Sequence, residues 1–391
     1  MTETVKCPSA DLCGGCSYQG VPYELQLKNK EGEVRGYLKN SGFSPDILTG
    51  IKPCPVIAGY RNKMEYTFGN EQKGGELRLG MHRKKSFISV TDGSCCQIVP
   101  EDFNTLVRMT LDFCLERGYV QYSKKFHTGL LRNLILRRGM RTGELLVNIV
   151  TSSETAFDEE GFLSMVMGAP LSSTVCGVLH TVNDDPSDAV NVQDMRILWG
   201  RDWYMEEIMG LKFKVGAFSF FQTNVDAAER LYRDALDLIP GIEGKTVYDL
   251  YCGTGTISQA MALKAKMVYG VEIVEEAVIA ARENAALNGL DNCRFVADDV
   301  QNALSGLPEP PDVIVVDPPR SGIMPKALSQ ILSYKVPQIL YISCNPKTMA
   351  ENLRAAVLSG YRPSGVTAYD NFPFTRHTEC VCLLEHTSIG K

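Results

Sequence analysis

Cys344 stands in Ser343-Cys344-Asn345-Pro346, directly after an apolar run at 339–342 and before a helix-forming stretch. A thiol at a strand end facing a helix N-terminus is expected to have a lowered pKa and can attack an electron-poor carbon. The segment Asp370-Asn371-Phe372-Pro373-Phe374-Thr375-Arg376-His377-Thr378-Glu379 precedes another apolar run, 380–384. Glu379 therefore falls near the same sheet edge, where desolvation raises a carboxyl toward neutrality and suits it to accept a proton. His377 is the alternative base. A third strand end, Val316-Asp317-Pro318-Pro319-Arg320, places an acid at that edge, with two prolines stiffening the turn. Taken singly, a cysteine reads as a small buried hydrophobe and a glutamate as a solvated surface group. Three such strand ends together point to chemistry.

Asp249-Leu250-Tyr251-Cys252-Gly253-Thr254-Gly255-Thr256 sits where a strand turns into a helix. Its glycines let the backbone turn tightly and approach a ligand. Glu272, at the end of the next strand, can accept hydrogen bonds from both hydroxyls of a ribose. Such a loop serves a dinucleotide or S-adenosylmethionine. A dinucleotide fingerprint needs a third glycine so that the pyrophosphate rests on the helix N-terminus, and Ile257-Ser258 occupy that place. Asp249 suits a cationic sulfonium better than a diphosphate, so the motif reads as an S-adenosylmethionine loop. Methylating a nitrogen needs no thiolate, and amino-group methyltransferases follow the two prolines with a stacking aromatic where this chain has Arg320. Carbon 5 of a uracil does need one, because it is nucleophilic only after a thiolate adds to carbon 6. A base must then remove the carbon 5 proton.

The elements that carry these residues are short Val/Ile/Leu runs without polar alternation, as in strands covered on both faces. Runs at 246–251, 268–271, 294–296, 313–316 and 339–342 alternate with helices, and 380–384 is a last strand. This predicts an α/β fold with a doubly wound, mostly parallel sheet, a Rossmann-like methyltransferase domain over 217–391. A helix at 225–239, which Asn224 can cap, opens it. Residues 45–216 read as a β-rich central domain, with a strand at 145–151 and one helix at 100–117. Residues 1–44 hold a cysteine cluster and a linking helix over 23–38.

Phe220-Phe221-Gln222-Thr223-Asn224, the 249–256 loop, Asp317-Pro318-Pro319-Arg320-Ser321-Gly322, Ser343-Cys344-Asn345-Pro346 and the 370–379 segment occur in that order. Jointly they resemble the RNA (uracil-5-)-methyltransferases that make 5-methyluridine in 23S ribosomal RNA and tRNA. The resemblance covers 217–391. It implies that Gln222, Tyr251, Glu272 and Asp317 line the cofactor and base pocket, that Cys344 is the nucleophile, and that Glu379 is the base that resolves the adduct.

Cys7, Cys13 and Cys16 form C-x5-C-x2-C with Gly14-Gly15 between the last two, a spacing that suits a metal centre. No second C-x2-C completes a zinc ribbon, and a radical S-adenosylmethionine enzyme would show C-x3-C-x2-C. A fourth ligand is expected from Cys95-Cys96. The spacing is also similar to the ribosomal RNA branch of the same family, which implies a [4Fe–4S] cluster. The following Gln97-Ile98-Val99 matches that branch's pattern for Cys96 better than for Cys95.

The chain has 391 residues, 44% hydrophobic and 22% charged, with thirteen cysteines and a net charge of −6. That excludes collagenous, disordered and mini-protein classes. Residues 28–141 carry 20 Lys and Arg against 11 Asp and Glu, while 142–207 carry 2 against 12. Such polarity suits a protein that offers one face to a polyanion. The expected partner is RNA, 23S ribosomal RNA before tRNA, with the target base flipped from a loop into the pocket. Many relatives begin with a small β-barrel RNA-binding module, whereas this chain starts at the cysteine cluster, so RNA contact is expected from the cluster and the basic stretch 61–141. The stretch 163–183 lacks acidic and basic residues but contains Pro170, His180 and several hydroxyls, and reads as buried strands rather than a membrane span. Without an apolar leader, the cysteines should be reduced and the protein cytoplasmic and monomeric. The competing readings are an iron–sulfur oxidoreductase using a dinucleotide, and an RNA-binding module with a decayed transferase domain.

Overall fold

A computed structural model describes residues 6–388 apart from 73, 87, 188, 189 and 191. An eight-stranded sheet forms the larger layer, in the order Leu48–Lys52, Tyr361–Tyr369, Glu379–His386, Gln338–Ser343, Val313–Val316, Thr246–Leu250, Met267–Glu272, Cys293–Ala297. Glu379–His386 runs antiparallel to both of its neighbours, and all the other pairs are parallel. Successive residues of one strand feed opposite cores. Val313 and Val315 pack on one face, Ile314 and Val316 on the other. Covering both faces removes the polar alternation, which is why these strands are uniform apolar runs.

Two elements belong to this sheet although the sequence reading places them elsewhere. Leu48–Lys52 pairs parallel with Tyr361–Tyr369, so the boundary at 45 does not describe the sheet. The helix Tyr23–Asn40 lies against the helix Pro346–Leu358 and buries a stripe of Gln26, Lys30, Val34 and Leu38. Tyr361–Tyr369 itself was not anticipated. Pro363 and Gly365 interrupt its pattern, and its pairing with Glu379–His386 shifts register between Pro363 and Val366.

The central region is a seven-stranded sheet in the order Val90–Asp92, Leu77–His82, Lys63–Asn70, Leu131–Arg138, Glu144–Thr151, Thr174–Val182, Asp194–Gly200. Glu144–Thr151 and Thr174–Val182 are its one parallel pair. A parallel pair needs a crossover, and the helix Glu159–Met167 supplies it. The expectation of strands throughout 163–183, and of a single helix in this region, is corrected accordingly. Asp158 caps that helix by accepting from the Gly161 amide, and Glu159 and Glu160 stand in its first turn. The hairpin of Trp203–Ile208 and Leu211–Gly216 forms a separate ladder. Its outer amides, Lys212 and Lys214, donate to the Asn288 and Asn284 side chains of the neighbouring α/β layer at 2.8 Å each.

Candidate active site

Ligands of open α/β sheets bind outside the carboxyl ends of the strands. Tyr251 follows Thr246–Leu250, Asp317 follows Val313–Val316, Cys344 follows Gln338–Ser343, and Glu272 closes Met267–Glu272. Glu379 reaches the same edge by the opposite route, since it is the first residue of the antiparallel strand. Ser343 pairs with Cys380 as the last rung of that ladder, so Cys344 and Glu379 are the residues that flank the rung at the sheet edge.

Electrostatics bind these groups into one set. Burial pushes the Glu379 carboxyl up to about 8, with Asp317 adding and Arg320 opposing. Burial alone lifts Asp317 to about 6. The Cys344 thiol is pushed up to about 11 by burial, then by Glu379 and Asp317, against the pull of Arg320. The expectation of a lowered Cys344 pKa is therefore corrected. The helix Pro346–Leu358 does begin beside the thiol, but burial first, and then the carboxyls of two other strand ends, raise it. The turn is locked locally. The Asn345 side chain accepts from the Lys347 amide and donates to the Arg320 carbonyl at 2.8 Å, and the Ser343 hydroxyl accepts from the Asn345 amide.

The glycine loop is tightly shaped. Gly255 has φ +77°, and a Cβ there would stand 2.7 Å from the Phe295 ring. Tyr251 holds a left-handed φ of +68°, a strained conformation for a side chain of its size and one often kept at functional positions. Glu272 accepts from the amides of Gly253 at 3.1 Å, Ile273 at 2.9 Å and Val274 at 3.0 Å. Those bonds fix the carboxylate against the loop. Asp249 is buried and accepts from Ser258 at 2.5 Å, while its Oδ1 has no partner and its carboxyl is pushed up to about 7 by burial. An unpaired buried carboxylate oxygen under the loop fits a cationic ligand.

Gln222 is held by its backbone, whose carbonyl accepts from the Asn62 side chain at 3.0 Å, and its side chain acts on the nearby Tyr232 phenol. Tyr232 is buried among Asp317, Glu379 and Asp249. Sequence reasoning missed it, because within the helix Val225–Asp237 it falls on the apolar stripe and looks like core. His377 is exposed as a residue, and its ring Nδ1 lies 3.4 Å from Arg320. Partial desolvation of the ring and the charges of Arg320, Lys30 and Arg61 lower its pKa.

The N-terminal cysteines gather in one neighbourhood. Burial comes first in pushing Cys7 up to about 11 and Cys96 up to about 12, and the other cysteines of the group add to both. Cys95 takes part as well as Cys96, with its carbonyl 3.8 Å from the Cys7 sulfur. The Tyr66 hydroxyl, near Cys96, is buried without a partner. Cysteine sulfurs are the right donors for a soft metal. Ligand spacing is not formed, however: among the described residues no three His, Cys, Asp or Glu stand where they would hold a metal ion. The iron–sulfur expectation is not carried by this geometry. Among the described residues no helix is long and apolar enough to cross a membrane.

Comparisons agree with the edge chemistry. The tRNA (Uracil-5-)-methyltransferase family model matches residues 310–387, and the Methyltransferase small domain model matches 209–330. An uncharacterized RNA methyltransferase of Caldanaerobacter subterraneus is 48% identical over 97% of this chain and 84% of its own length. One from Clostridium acetobutylicum is 42% identical over 98% and 84%. The crystal structure of Pyrococcus abyssi tRNA (uracil-54, C5)-methyltransferase, in complex with S-adenosyl-L-homocysteine, superposes with a TM-score of 0.78 at 27% identity, covering 95% of this chain and 86% of that one. An acidic loop under a glycine turn, an RNA-directed set of relatives and a fold shared with an enzyme that held the demethylated cofactor agree: this chain belongs to the RNA methyltransferases and uses S-adenosylmethionine.

Proposed function

We propose that the enzyme methylates carbon 5 of a uridine, with 23S ribosomal RNA as the first candidate substrate and tRNA as the second. The observation that carries this reading is that Cys344 and Glu379 flank the last rung, Ser343–Cys380, at one sheet edge, with Asp317 close enough to act on both. Gln222, Tyr251, Glu272 and Asp317 form the cofactor and base pocket. The Cys344 thiol releases its proton to solvent, and the resulting thiolate bonds to carbon 6 of the flipped uracil, moving the 5,6 electron pair onto carbon 5 and the carbonyl beside it and making carbon 5 electron-rich. S-adenosylmethionine supplies the electrophilic methyl group and a positive charge that favours the ionised thiol. Carbon 5, once methylated, gives its proton to Glu379. That electron pair restores the 5,6 double bond as the carbon 6–sulfur bond breaks, and the thiolate leaves. With the thiol at about 11, a value that already includes the pull of Arg320, ionising it at pH 7 costs about 5 kcal/mol, which the bound cation must offset.

The basic stretch 61–141 and the cysteine segment would meet the phosphates. Cys7, Cys13, Cys16 and Cys96 are the ligands through which a [4Fe–4S] cluster would sit in that segment. The sequence spacing supports this assignment, and no chemical step needs it. Unmodified transcripts of 23S ribosomal RNA and of tRNA, incubated with enzyme and S-adenosylmethionine, test the function. One of them should yield 5-methyluridine at a single site, and methylation of another base would refute the reading.

A further inference from the structure

Lys30 lies in the middle of the helix Tyr23–Asn40, in a part of the chain to which no chemistry is assigned. Both it and Asp370 are 0% exposed, and they form an ion pair across 340 residues of sequence. Its ammonium has three donors, and all three are used. Nζ donates to Asp370 Oδ1 at 2.5 Å, to the Phe372 carbonyl at 3.1 Å and to the His377 carbonyl at 2.9 Å. Every acceptor lies in the segment that delivers Glu379. One is at its start, and one is two residues before the carboxylate.

We propose that Lys30 is a positioning residue for the base of the reaction, tying both ends of the 370–378 segment into the one conformation that aims Glu379 at the substrate. A merely stabilising role explains the geometry less well. A buried ion pair is a poor source of stability compared with apolar packing, and its best-attested use is to specify one arrangement. The segment also needs outside help. Phe374 holds a left-handed φ of +66°, and its amide donates to the Gln26 side chain at 2.9 Å, one helical turn before Lys30. The Pro373 carbonyl accepts from the Tyr60 hydroxyl at 3.0 Å. A strained residue persists only where its surroundings over-determine it. Lys30 binds the segment at both ends. Misplacing a reacting group by about 1 Å is worth about a hundredfold in rate, so the clamp should govern the step that uses Glu379.

The inference rests on the reading of Glu379 as base, and the experiment separates the two. Full-length Lys30→Met and the charge-neutral Lys30→Met/Asp370→Asn are compared with Glu379→Gln, using methyl-labelled S-adenosylmethionine and the transcript that the wild-type protein methylates. Asp370→Asn keeps an acceptor for the Phe372 amide and removes the unpaired charge, so the double variant remains foldable if the single one does not. The expected result is cofactor affinity unchanged, turnover reduced about a hundredfold, and a labelled, denaturation-resistant enzyme–RNA adduct accumulating in the Lys30 variants as it does in Glu379→Gln. Adduct in Glu379→Gln but none in the Lys30 variants, whether they turn over normally or lose adduct formation and turnover together, overturns the positioning role and leaves the base intact. Absence of adduct in Glu379→Gln removes the base reading, and the inference with it.

Discussion

Glu379→Gln should make the protein more stable while stopping its reaction. An acid whose pKa rises from 4.5 unfolded to about 8 folded keeps a proton that the unfolded chain releases. Its contribution to stability is fully present below about pH 4.5 and is lost as pH rises through about 8. Integrated over that window, the carboxyl costs the fold under about 1 kcal/mol at pH 5 and about 3 kcal/mol at pH 7 relative to a neutral group. Glutamine has the same shape and no charge to desolvate, and it also relieves Asp317 of a like-charged neighbour. The variant's gain should therefore be small at pH 5 and grow toward pH 8. Thermal unfolding at pH 5, 7 and 8.5, without cofactor, measures it. At pH 7 the melting temperature should rise by roughly 2–4 °C per kcal/mol for a domain of this order of size. A gain that does not depend on pH would show that the carboxyl is solvated, and the raised pKa with the base role built on it would fall.

Cys344→Ala should bind S-adenosylmethionine with wild-type affinity by calorimetry yet transfer no methyl and form no adduct; normal turnover would end the thiolate mechanism. Asp317→Asn removes a carboxylate that raises both Glu379 and Cys344, so both pKa values fall and the rising limb of the single-turnover pH profile should move to lower pH. A limb that stays in place or moves up would show that these carboxylates do not interact. Anaerobically purified protein should be brown and contain about four irons per chain, lost when Cys7, Cys13, Cys16 and Cys96 are replaced by serine; a colourless, iron-free protein would refute the cluster.

Much of the site was legible because its parts are local. The strand Val313–Val316 ends at Asp317-Pro318-Pro319, and Gln338–Ser343 ends at Cys344-Asn345-Pro346. A buried parallel strand is an uninterrupted apolar run, and its carboxyl end must face ligand, so sequence order alone sets these residues at one edge. The Asn224 cap, which accepts from the Ala227 amide, was readable for the same reason. The helix Glu159–Met167 carried its own cap signal and was still missed, since its apolar composition also suits strands.

What the chain determined by itself is the run of strand ends and the residue types placed on them, because periodicity and turn chemistry act over a few neighbours. The tertiary structure alone decided how those ends affect one another. Leu48–Lys52 joins a sheet whose other strands begin at Thr246, and Lys30 closes on Asp370, through pairings that no local pattern encodes. The Cys344 thiol shows the difference most plainly. Its own segment supplies a helix N-terminus that would lower its pKa, but burial in the folded site raises it, and the carboxyls of Glu379 and Asp317 arrive on other strands and add to that, because packing and charge act through space rather than along the chain.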